Sequence, residues 1–369
     1  MANFDWHAER TDLSDLMLLD RAPESEGIDL KAVRLYRQAR VRSQMAKYGI
    51  DAVVLSDPIN IRYATGSRNM QVFSMHNAPS RYLLLTENWS ILFEFTGCLH
   101  LAQGYETIDE VRPAKTASLV AAGPHIESTE KAWALEMADL VRQLVGKEDV
   151  TVGLERLNAG SAIALKELGL NIVDAQRPVE MARCIKSPEE AKCVVASLRA
   201  TEVAVGKLRD AVRPGLTENE LWSVLHKSVI DQNGDYCETR LLSAGPRTNP
   251  WFQETASYVI KENELVALDT DVVGCHGYYS DFSRTFHSGP AAPTVEQKEL
   301  CRYPYLYHHG DFPDCGYDGV IEPGMVICVE SYIGEEGGSQ GVKLEQQVLI
   351  TESGIEVLSQ FPFEESLLA

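Results

Sequence analysis

Apolar residues recur along the chain with two different periods, and the change from one to the other divides it. Over residues 30–48 the run LKAVRLYRQARVRSQMAKY places Val33, Tyr36, Ala39 and Met45 near helical spacing, and Gly49 follows as a helix-ending residue. Residues 51–56 (DAVVLS) read as a short buried strand, and Asp57-Pro58 turns out of it. Residues 81–86 and 89–94 read as strands joined through Glu87-Asn88, residues 131–144 as a helix, and residues 150–154 and 170–173 as strands. Strands alternating with helices predict an α/β domain over residues 1–178, with a polar, irregular lead over 1–27 and a boundary at Arg177-Pro178.

The signals then change. Ser187-Pro188-Glu189-Glu190 combines a capping Ser, a Pro at the first helical position and a Glu three residues after the Ser, so it opens a long helix reaching about Val212. Thr217-Glu218-Asn219-Glu220 repeats the capping signal and opens a second helix, ended by Gly234. Strand patterns dominate from there, which predicts an α+β domain over residues 179–369.

Composition narrows the partners. With 54 acidic against 34 basic residues the net charge is −20, which excludes nucleic acid and anionic membrane as partners, since either needs a basic surface. No apolar run approaches the roughly 18 residues of a membrane span. The opening MANFDWHAERTDLSDL has no basic segment leading into an apolar one. The eight cysteines (98, 184, 193, 237, 275, 301, 315 and 328) are scattered without a C-x-x-C pair and read as reduced thiols. Together these features predict a cytoplasmic protein.

Candidate chemistry lies in acids at positions acids normally avoid. In LVALDTDVVGCHGYYSDFSRTF, starting at Leu265, Asp269 and Asp271 are two apart in an apolar run and read as strand residues whose side chains share a face. Gly274 to Gly277 turns the chain back to bring Asp281 alongside, provided the connection has an odd number of residues or one strand carries a bulge. A solvent-facing acidic hairpin is the alternative, opposed by Val266, Leu268, Val272 and Val273. Near the C-terminus, strands MVICVESYI and GVKLEQQVLIT flank a loop centred on Gly337-Gly338, and pairing symmetric about that dipeptide sets Glu330 opposite Glu345. Facing carboxylates inside apolar strands repel each other unless a cation lies between them. Five converging carboxylates, Asp269, Asp271, Asp281, Glu330 and Glu345, suit two divalent metal ions: iron, manganese, zinc or cobalt.

The chain as a whole resembles the creatinase/aminopeptidase P ("pita-bread") metalloenzyme family. The stretch GIDAVVLSDPINIRYATG from Gly49 is similar to the start of the creatinase N-terminal domain, and IKSPEEAKCVVASLRATEVAV, VRPGLTENEL, GYYSDFSRTF, IEPGMVICVE and GVKLEQQVLIT match successive C-terminal blocks. The resemblance implies an α/β creatinase-like N-terminal domain, an α+β pita-bread C-terminal metal-binding domain, homodimerisation, and metal-ligand positions at Asp271, Asp281, Glu330 and Glu345. Three departures set the chain apart from the family's peptidases. Asp281 follows Asp269 by twelve and Asp271 by ten, on either side of the peptidase spacing; the segment SAGPRTNPWFQET lacks the peptidases' pocket His; and the RIED-like segment reads Lys343-Leu344-Glu345-Gln346. In all three the chain resembles the DddP-type dimethylsulfoniopropionate lyases. That branch implies a small-molecule substrate cleaved to dimethyl sulfide and acrylate, favours iron, and gives Trp251, Tyr278 and Tyr279 a use as aromatic faces for a sulfonium cation.

A fourth departure concerns a missing stretch. The family carries a His ligand in an H-G-x-G motif before the first Glu, followed by an acid that matches the lyase base. Here only 49 positions separate Asp281 from Glu330, and Cys301-Arg302 runs straight into Tyr303-Pro304. The His and the base have no counterpart, so no catalytic base is assigned, and His308 and His309 are weaker substitutes. Either a segment between Arg302 and Tyr303 is omitted from this sequence, the preferred reading, or the chain is a catalytically impaired homologue; an intact mass near 40.9 kDa would establish a true deletion. An Xaa-Pro metallopeptidase is the remaining alternative function.

Overall fold

The computed structural model describes residues 27–73, 80–302 and 318–368. They form two compact units, one of residues 29–184 and one of residues 185–368 together with Gly27 and Ile28.

The first unit is a six-stranded mixed sheet in the order β4-β3-β2-β1-β5-β6, from β1 (Ala52–Leu55), β2 (Tyr82–Thr86), β3 (Ser90–Glu94), β4 (Glu110–Pro113), β5 (Thr151–Leu154) and β6 (Asn171–Asp174). Its longer helices are α1 (Leu30–Lys47), α2 (Pro58–Thr65), α3 (Ile126–Val145), α4 (Ala159–Glu167) and α5 (Gln176–Cys184). Side chains alternate along β1, so Ala52 and Val54 join one core with Trp133, Met137 and Val141 of α3, while Val53 and Leu55 join a second with Val41, Met45 and Ile61. A strand covered on both faces must be apolar throughout, which is why β1 reads as a continuous run.

Two local expectations need correction. Ala39 of α1 is exposed, while Arg37, Gln38 and Gln44 are buried with Val33, Val41 and Met45. The Gln38 amide donates to the carbonyls of Ala64 and Thr107, and these distant partners make its burial tolerable. Asp57-Pro58 opens α2 instead of a turn: the Asp57 carboxylate accepts from the Ile59 and Asn60 backbone N–H groups, and Pro58 takes the first helical position.

In the second unit, helices α6 (Pro188–Ala211) and α7 (Glu218–Asp231) both begin with complete capping boxes, at Ser187/Glu190 and Thr217/Glu220. They pack Val194, Leu198, Val205, Leu221, Trp222 and Leu225 into a core with Leu242, Val266, Leu268, Phe282 and Phe286. The strands form three small sheets. The first joins β11 (Tyr279–Ser280), β10 (Val272–Val273) and β7 (Tyr236–Cys237); the second joins β12 (Ser283–His287), β9 (Leu265–Asp269) and β8 (Leu242–Ala244). The third joins β13 (Val326–Gly334), β14 (Gly341–Thr351) and β15 (Gly354–Val357). Helix α8 (Val295–Arg302) follows β12 in the chain.

Side chains weld the second sheet to the third. The Thr285 hydroxyl donates to the Lys343 carbonyl and accepts from its backbone N–H at 3.0 and 3.1 Å, and Arg284 Nη1 donates to the Glu345 carbonyl at 2.7 Å. These bonds hold the strands that carry the acids side by side.

Candidate metal centre

All five acids come together, by different devices. Asp269 is the last residue of β9, paired with Ser283 of β12, and only 6% exposed. The register of β9 with β12 and that of β10 with β11 share one axis at His276, and the five residues between β10 and β11 supply the odd connection that returns Asp281 toward Asp271. Asp271 itself departs from expectation. It lies outside the strand at φ +38°, because the chain passes from one sheet to another at Thr270 and Asp271. The Thr239 hydroxyl donates to its Oδ2, and its own backbone N–H points to Asp281 Oδ1 at 3.4 Å.

Glu330 and Glu345 face each other across β13 and β14, in a ladder symmetric about Gly337-Gly338. Glu345 is 3% exposed, whereas the Glu330 side chain is more than half open to solvent. The Ser283 hydroxyl lies 2.7 Å from Asp269 Oδ1 and 2.6 Å from Glu345 Oε2; with one proton to give, it serves one acid at a time. Oxygens of Asp269, Glu330 and Glu345 lie within 4.8 Å of one another, as do ligand atoms of Asp281, Cys328 and Glu345.

Electrostatics show what this convergence costs. Burial, with Asp269, Glu345 and Asp271 close by, pushes the Asp281 carboxyl up to about 9. Burial and then Asp269 push Glu345 up to about 7, and burial also raises Asp271. Burial would lower the Lys343 ammonium, but Asp269, Glu345 and Glu330 outweigh it and hold its pKa above the ordinary lysine value. A set of hard oxygen donors that resist ionising beside one another fits divalent cations, which would favour the charged form of each.

Lys343, Ser283 and Cys328 escaped the sequence reading as site residues. Lys343 sits two before Glu345 on β14, and Cys328 two before Glu330 on β13, so strand parity alone places each beside an acid. Ser283 is the register partner of Asp269.

The three aromatics separate. Trp251 is buried with Leu241 and Ala267, and its ring stacks on Tyr332 at 6.0 Å. Tyr332 follows Glu330 by two and pairs with Lys343, so Trp251 borders the acids' face. Tyr278 donates its hydroxyl to Glu190 at 2.7 Å and packs on the helical core, and Tyr279 engages Tyr236 and Glu238. His308, His309 and the Tyr303-Pro304 junction lie outside the described residues.

Comparison with known proteins agrees with this architecture. Residues 37–185 match the creatinase/prolidase N-terminal domain and residues 192–309 match metallopeptidase family M24. The chain is 31% identical to a dimethylsulfoniopropionate lyase DddP of Roseobacter denitrificans, covering all of this chain and 91% of that protein. It is 30% identical to the lyase of that name from Roseovarius nubinhibens, covering 92% and 88%. The first comparison runs over 428 positions against 369 residues here, so the relative carries segments with no counterpart, in keeping with the short interval before Glu330. Among solved structures, an Xaa-Pro dipeptidase from Bacillus anthracis superposes with a TM-score of 0.69 at 20% identity, covering 90% of this chain and 99% of that one. Enzymes of the M24 family use divalent metals. The chain belongs to the creatinase/aminopeptidase P family of pita-bread metalloenzymes, with DddP dimethylsulfoniopropionate lyases among its relatives.

Proposed function

We propose that this chain is a metal-dependent carbon–sulfur lyase that cleaves dimethylsulfoniopropionate to dimethyl sulfide and acrylate. The observation that carries the reading is 31% identity to a lyase along the whole chain, joined to acids that converge at buried strand positions. In the reaction a base takes the proton on the carbon beside the carboxylate, and that electron pair forms the carbon–carbon double bond. The carbon–sulfur bond breaks, and sulfur leaves with its pair as neutral dimethyl sulfide.

Asp269, Asp271, Asp281, Glu330 and Glu345 would hold two divalent ions, with iron favoured over manganese, zinc or cobalt on the resemblance to the lyases. Bound there, the ions would polarise the substrate carboxylate and so acidify the neighbouring proton. The chain's own groups set the frame: Ser283 ties Asp269 to Glu345, and Trp251 offers an aromatic face beside the acids for the sulfonium. We further infer a homodimer in solution, which light scattering would check.

An Xaa-Pro metallopeptidase is the second reading, favoured by the dipeptidase fold. A catalytically impaired homologue is the third, favoured by the interval of 49 positions between Asp281 and Glu330. Headspace analysis with dimethylsulfoniopropionate, metal content and cleavage of proline peptides, all on one preparation, separates them. Volatile dimethyl sulfide from metal-loaded protein is expected. Peptide cleavage without dimethyl sulfide would move the assignment to the peptidase, and neither product with less than one metal per chain would favour impairment.

A further inference from the structure

The carboxylate cluster has two corners that differ in one respect. At the corner of Asp269, Glu330 and Glu345 a cation is already present. Lys343 Nζ bonds to Glu330 Oε2 and lies 3.2 Å from Glu345 Oε2 and 3.3 Å from Asp269 Oδ2. An ammonium has three protons to donate, and three carboxylates surround this one. The Lys343 side chain is only 4% exposed, and its backbone is pinned on both sides by the Thr285 hydroxyl and by pairing with Tyr332. At the other corner Asp271 and Asp281 have hydroxyl and backbone N–H partners, and no lysine or arginine pairs with either among the described residues.

Resting on the metal reading above, we propose that Lys343 is a built-in counter-cation that keeps a metal ion from the Asp269–Glu330–Glu345 corner until it is displaced, so that the two halves of the centre differ in affinity. An ammonium and a divalent cation seek the same oxygens, and at about 4 Å in a protein interior they repel far more strongly than in water. The first metal to enter therefore takes the Asp271–Asp281 side with a share of Glu345. A second must first break the three ammonium contacts. In the metal-free chain the same ammonium offsets the repulsion among three acids, two of them buried.

Manganese(II) binding to the chelator-stripped full-length chain, measured by competition with a metallochromic chelator, tests this against Lys343→Met, with thermal melting of the stripped proteins in parallel. The wild type is expected to take one manganese tightly and a second more weakly by roughly tenfold or more, and Lys343→Met to tighten the second by a similar factor. Stripped Lys343→Met is expected to melt below the wild type, and Lys343→Arg, which keeps the charge, to keep the weak second site. Equal second-site affinity in wild type and Lys343→Met overturns the inference and leaves the metal reading standing; no manganese on either protein overturns both. Should stripped Lys343→Met fail to fold, Lys343→Gln purified with manganese and stripped stepwise reports the same second-site affinity.

Discussion

A carboxyl buried beside other carboxyls prefers its proton, and Asp281 and Glu345, pushed up to about 9 and about 7 by burial and then by Asp269 beside them, carry that preference. Both values lie above those of an unfolded Asp or Glu, near 4. The stability they contribute is therefore complete below about pH 4 and is lost as pH rises through 7 and then 9. Chelator-stripped protein should melt at progressively lower temperature from pH 5 to pH 9, and added manganese should flatten that slope, because a bound cation favours the ionised acids. Glu155 in the first unit, raised to about 7 chiefly by burial, adds a slope that metal leaves alone, so the difference between stripped and loaded protein is the quantity to read. Identical slopes with and without metal would remove the cation from this account. Trp251 belongs to the same scale. If its ring faces the sulfonium, Trp251→Ala should raise KM for dimethylsulfoniopropionate while the fold stays intact, and an unchanged KM would leave Trp251 as core packing against Tyr332.

At the scale of elements, one side chain clamps three segments together. Arg284 of β12 is fully buried; besides the Glu345 carbonyl of β14 it reaches Gln346 Oε1 at 2.9 Å and the Phe361 carbonyl at 3.1 Å, and the Phe363 ring lies 4.2 Å away. Burial lowers its pKa to about 10, so it stays charged at neutral pH. A lysine offers a point charge in place of a planar fork, and Arg284→Lys should cost about 3 kcal/mol by leaving buried acceptors unpaired, read as a shift in the urea midpoint. A shift under about 1 kcal/mol would mean that β12 and β14 hold together without it. What is legible in the sequence at this scale is local. Both capping boxes lie within four residues, and the β13–β14 register follows from a hairpin centred on Gly337-Gly338, so the pairing of Glu330 with Glu345 is a matter of counting from that dipeptide. The position of Asp271 is not legible, because leaving β9 for another sheet at a positive φ depends on Thr239 and on β7, both remote in sequence. The burial of Gln38 in α1 is hidden for the same reason, since Ala64 and Thr107 satisfy it only once the chain has folded. Lys343 is within reach by strand parity, yet a motif comparison presents it as a departure from the family, whereas its three carboxylate partners appear only in the folded strands.

Across the whole molecule, the acids that matter are concentrated in one of two units that have separate hydrophobic cores. Five of the acids lie on strands or beside them, and a bound cation would offset the repulsion among them. Metal binding should therefore act on the second unit and leave the first nearly unchanged. A ligand at 100 times its Kd adds about 2.7 kcal/mol to the state that binds it, and local opening of the strands that carry the ligands should slow by the corresponding factor. Hydrogen exchange read by mass spectrometry, with manganese and then with chelator, is expected to show the difference in β9, β12, β13 and β14 and little in β1, β2 or β5. Equal deprotection of β1 and β14 on chelation would show that the centre's stabilisation extends through both units. A change confined to β13 and β14, with β9 and β12 unaffected, would mean that Glu330 and Glu345 bind metal without the Asp residues.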